Sequence, residues 1–149
     1  MSDRPSAERT REQCVWDTTQ EWLASANDDL ACATAVLELS PPSLQAAAFH
    51  SRQAAEKLVK RFPVRHQVEF DRTHDIADLV EDMRSVSTDL AENLQPAIYL
   101  TQWAVARRYP GGPEPADEQA VAELIATAQS VTEIVREALR EYLDQGRPE

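Results

Sequence analysis

From Trp22 onward the apolar residues return every three or four positions: Trp22, Ala26, Leu30, Ala33 and Leu37. That step keeps them on one stripe of an α-helix, because 3.6 residues complete a turn. Thr18 and Glu21 have the spacing of a capping box, in which a hydroxyl and a carboxylate take up orphan amides at a helix start. A first helix is therefore predicted from about Thr18 to Leu39. Ser40-Pro41-Pro42 makes a turn that can also start a helix, since proline tolerates the first helical turn. The second helix is predicted over about Ser43 to Arg61, with Pro63 as its stop. Leu44, Ala48, Ser51, Ala55, Leu58 and Phe62 mark its buried face, while His50, Gln53, Lys57 and Arg61 share another face at helical spacing.

The polar stretch "VRHQVEFDRT" then connects to a short helix at about Asp75 to Arg84. A fourth helix is predicted from Asp89 to Arg107, with Leu90, Leu94, Ile98, Thr101 and Val105 in line. Pro96 must either kink that helix or mark its true beginning. "YPGGPEP" is the strongest breaker in the chain. Beyond it Val121, Leu124, Ala128, Val131, Val135, Ala138 and Tyr142 advance in alternating steps of three and four, the seam of a long last helix. No strand period is present. The pattern predicts an all-α, antiparallel up-and-down bundle of four to five helices over residues 18–144, with a flexible arm over 1–17 and a frayed tail over 145–149.

Composition adds little to the fold and more to the function. With 149 residues, 42% apolar content and three glycines, the chain suits one helical domain. No apolar run approaches the roughly 20 residues of a membrane span, and no secretory leader is visible. Cys14 and Cys32 are isolated, which fits a reducing cytoplasm better than a disulfide framework. The net charge of −11 argues against a broad nucleic-acid surface, since such binding neutralises phosphates. The charge is uneven, however. Between His50 and Asp75 six cations (Arg52, Lys57, Lys60, Arg61, Arg65, Arg72) face four anions (Glu56, Glu69, Asp71, Asp75), leaving this window at +2 and the rest at −13. Both lysines and all three histidines lie inside it.

Four stretches together resemble the HEPN domain family: "WLASANDDLACA", "AAFHSRQAAEKLVK", "VEFDRTHDIADLV" and "LTQWAVARRYPG". The resemblance implies a four- or five-helix bundle, in agreement with the periodicity. It also implies one of two functions. Many HEPN proteins are ribonucleases of toxin–antitoxin or phage-defence systems, paired with a small nucleotidyltransferase, and cut through an Arg-x4-6-His motif that meets its copy across a dimer. Others lack the motif and bind nucleotides or RNA without cutting. Arg61 and His66 fit the spacing, but about 0.8 accidental matches are expected in a chain of this composition. In the ribonucleases the motif belongs to a later helix, where this chain has Arg107-Arg108-Tyr109-Pro110 and no histidine after it.

The expectation is therefore a nucleotide- or RNA-binding module without nuclease activity, with no metal and no cofactor. It should act as a cytoplasmic homodimer, on aromatic faces carrying Trp22, Trp103 and Tyr142, together with a partner protein. The alternative is a metal-independent endoribonuclease toxin using Arg61 and His66, with a nucleotidyltransferase as its partner. A third reading is a pure interaction protein. The expected ligand-binding residues are Lys57, Lys60, Arg61, Arg72, His74, Asp75, Arg107, Arg108 and Tyr109. If helices two and four end on the same side, these cations gather there, with Tyr109 placed to stack on a base. Thr73 and Asp75 also have a simpler use, as caps for the third helix.

Overall fold

Thr10, and not Thr18, caps the first helix. In the computed structural model the Thr10 hydroxyl accepts from the Gln13 amide at 3.1 Å, and the Gln13 side chain accepts from the Thr10 amide at 3.0 Å. Helix α1 consequently runs Arg11–Leu37, and the expected flexible arm is corrected from residue 11 onward. Both threonines have a suitable residue three positions on, so spacing alone does not choose between them. The apolar stripe cannot choose either, because residues 11–22 are all exposed or only half-buried.

The structure describes residues 7–65, 76–106 and 117–149, with side chains for 7–60, 76–100 and 117–149. After α1 come α2 (Leu44–Arg65), α3 (Ile76–Asp82) with a 3-10 turn at Met83–Ser85, α4 (Thr88–Asn93), α5 (Gln95–Ala106) and α6 (Glu118–Gln145). Pro63 does not end α2, which continues two residues further. Proline deletes one ladder hydrogen bond, but the amides after it still find carbonyls a turn back. Pro96 resolves the other way: the predicted fourth helix is interrupted at Leu94, and Pro96 sits in the first turn of α5, where its missing N–H costs nothing.

The directions follow from which ends meet. α2 folds back on α1 through a turn closed by the Ser43 amide donating to the Val36 carbonyl at 2.9 Å. Ala33 near the end of α1 packs with Val121 and Ile125 at the start of α6, while Gln13 and Asp17 at the start of α1 reach Pro148 and Arg147. α6 is thus antiparallel to α1 and parallel to α2. The 145–149 tail, expected to be frayed, is tied to α1 by these bonds. α2 is the central element, packing on α1, α3, α5 and α6.

Small residues make that central position possible. Ala47, Ala48, Ser51, Ala54 and Ala55 are all buried, so neighbouring backbones approach closely. Leu58, Val59, Ile76, Leu79, Val80, Met83, Leu94, Leu100, Val131 and Val135 fill the main core, each large side chain contributing roughly 1.5–3 kcal/mol of transfer free energy. Ser51 and Thr132 are buried with them. Each turns back on its own helix: Ser51 donates to the Ala47 carbonyl and Thr132 to the Ala128 carbonyl, both at 2.9 Å. The predicted α6 seam holds except at one place, where Leu139 is buried and Ala138 is exposed. An ideal helix drifts against a strict seven-residue repeat, and here the larger side chain takes the inward position.

Candidate functional site

One face of α2 carries His50, Gln53 and Lys57, three and four residues apart, and two of these three meet a single carboxylate of α1. The Asp29 Oδ1 lies 2.9 Å from His50 Nδ1, and Asp29 Oδ2 accepts from Lys57 Nζ at 2.5 Å. Lys57 Nζ also donates to Ser25 Oγ at 2.7 Å. Ser25 and Asp29 are four apart on α1, as His50 and Lys57 are seven apart on α2, so antiparallel packing brings both sets into register. The Asp29 side chain is 13% exposed and that of Lys57 24%, which puts their contact largely out of water. Since an ionised carboxylate only accepts, Nδ1 carries the proton, and in the neutral ring Nε2 is left as the acceptor.

A second polar row lies beside it. Arg52 Nη1 donates to Glu56 Oε1 at 2.9 Å, and Lys60 Nζ stands 3.9 Å from Glu56 Oε2. The Arg52 guanidinium also lies 5.6 Å from the centre of the Phe49 ring, which is itself exposed. The two rows sort the cations of α2 by how far each is neutralised. Lys57 is committed to Asp29, and Arg52 to Glu56. Lys60, more exposed and only loosely paired, begins the positive charge at the C-terminal end of α2, where Arg61 and Arg65 come next on the last turns.

The structure thus separates the expected ligand residues. Lys57 belongs to an internal network with the negative charge already beside it, a poor place for a phosphate. Lys60 and Arg61 lie on the last turns of α2. His66, Arg72, His74, Asp75, Arg107, Arg108 and Tyr109 fall outside the described residues, and so does their expected convergence with the end of α2. Among the described residues no group of three or more His, Cys, Asp or Glu side chains is placed to hold a metal ion, and no helix is long and apolar enough to cross a membrane. Of the aromatics expected to face a second copy, Tyr142 packs edge-on against Trp16 at 5.1 Å within the same chain. Trp22 is half-buried, and the Trp103 side chain lies outside the described set.

Asp29 and Ser25 were the residues that periodicity passed over. A signal was available: two polar residues on the half-buried flank of α1, four apart, opposite a histidine and a lysine on the next antiparallel helix. Among known proteins, a family model for the HEPN domain matches residues 19–138. No curated protein and no solved structure matches the chain. The matched stretch spans α1 to α6 and includes every residue of the α1–α2 polar network, and the chain belongs to the HEPN domain family.

Proposed function

We propose that this chain is a nucleotide- or RNA-binding HEPN module that does not cut RNA and works in the cytoplasm, as a homodimer with a partner protein. The observation that carries the reading is the sorting of charge along α2. Its inner cations are matched by Asp29 and Glu56, Lys60 is only loosely paired with Glu56, and the sequence adds Arg61 and Arg65 on the last turns, in a protein that is otherwise strongly acidic. A local basic end of this kind draws a phosphate while the −11 background repels extended nucleic acid. Arg72, His74, Asp75, Arg107, Arg108 and Tyr109 complete the proposed site. The reading against cleavage rests on the sequence after Arg108, which holds no histidine.

A thermal-shift panel of nucleotides and short RNAs tests the proposal. A ligand at a hundred times its Kd stabilises a fold by about 2.7 kcal/mol, so at least one phosphate ligand should raise the Tm by several degrees. Lys60→Glu should abolish that rise. No shift with any ligand would sink the binding reading. RNA degradation that disappears in His66→Ala would install the ribonuclease reading in its place, with a nucleotidyltransferase as the partner to seek. Light scattering showing a monomer at micromolar concentration would remove the dimer.

A further inference from the structure

The family-matched stretch begins at residue 19 and ends at 138, yet α1 starts at Arg11 and α6 continues to Gln145. The two extensions, one from each end of the match, hold each other. Asp17 accepts two hydrogen bonds from Arg147, Nε to Oδ1 at 2.8 Å and Nη2 to Oδ2 at 3.1 Å, and a third from Arg9 Nη1 at 2.9 Å. Gln13 donates to the Pro148 carbonyl at 3.1 Å while its amide oxygen completes the Thr10 capping box, so one side chain serves both the helix start and the tail. Trp16 and Tyr142 supply the apolar contact between them. Gly146, at φ +76°, turns the chain back after α6, a backbone conformation that side chains with a Cβ rarely adopt.

Their other anchorage is partial, with Tyr142 and Leu143 packed half-buried against the main core. No residue of α1 before Leu23 is buried, and the last buried residue of α6 is Leu139. Ion pairs this exposed are weak, so the clasp is closed by contacts much smaller than those of the core. We propose that residues 9–18 and 140–149 form a latch outside the HEPN core, closed by Asp17, that opens as one unit and leaves the bundle folded. Opening separates Trp16 from Tyr142 and presents an aromatic face that the closed form covers.

Hydrogen exchange by mass spectrometry on the full chain tests this, and its outcome does not depend on whether any nucleotide binds. In the wild-type protein residues 11–18 and 140–145 should share one level of protection, lower than that of residues 54–59 in α2. Asp17→Asn and Arg147→Gln should each speed exchange in both segments together, by roughly two- to fivefold, with residues 54–59 unchanged. Acceleration confined to the substituted segment would overturn the proposal, as would equal acceleration in α2 or no acceleration at all. The two variants change opposite partners, one on α1 and one in the tail after α6, so agreement between them excludes a local fault in either one.

Discussion

Asp29 shows how much one side chain can organise without being conspicuous in the sequence. Its neighbour Asp28 is chemically identical but exposed, and its partners His50 and Lys57 lie 21 and 28 residues away. Only the packing of α1 on α2 distinguishes the two aspartates. Asp29→Ala leaves the half-buried Lys57 ammonium without its carboxylate, and we expect a loss of roughly 1–3 kcal/mol in chemical denaturation. Asp29→Asn should lose less, because the amide oxygen still accepts one bond. Asp17 makes a different prediction. Hydrogen bonds from Arg147, and then Arg9, hold its carboxyl down to about 2 from an ordinary 3.8. A carboxyl depressed in the folded state stabilises it fully above about pH 4, and that contribution fades as the pH falls through about 2. Stability measured between pH 4.5 and 2 should therefore fall more steeply in the wild type than in Asp17→Asn.

At the level of elements, periodicity found the helical stretches among the described residues, but it ran α4 and α5 together and misjudged several limits. Apolar spacing is strong where a helix faces the core, which is why the α2 stripe through Leu58 and nearly all of the α6 seam were legible. It is silent where a helix runs past the core, and the first turns of α1 were missed for that reason. The two prolines divide instructively. Pro63 lies inside α2 and Pro96 opens α5, a distinction set by whether intact helical turns precede the proline rather than by the residue itself. Pro63→Ala should stabilise the protein by about 1–2 kcal/mol, since it restores a helical hydrogen bond against a modest gain in unfolded-chain freedom. Pro96→Ala should change stability by about 0.5 kcal/mol or less. Thermal denaturation of the pair checks the contrast. The expected ligand residues were less legible, because sequence spacing shows which cations share a helix face but not which are already matched by an anion on another helix.

The whole molecule is arranged around α2, with α1 antiparallel and α6 parallel beside it and the smaller cluster of Ala33, Ala47, Val121 and Ile125 joining all three at one end. At the other end Gln13 touches Pro148, so the backbone near Thr10 lies close to the backbone near Pro148. The covalent order of the helices is therefore only one of several that this packing permits. A short glycine–serine linker from Pro148 to Arg9 would close the chain into a ring, which can then be cut in the exposed turn between Ser40 and Pro41. Closing such a loop and opening another exchanges chain entropies on the order of 1–2 kcal/mol each. The circular permutant should keep its helical circular-dichroism spectrum and its cooperative melting, with α2 as its first helix and α1 as its last.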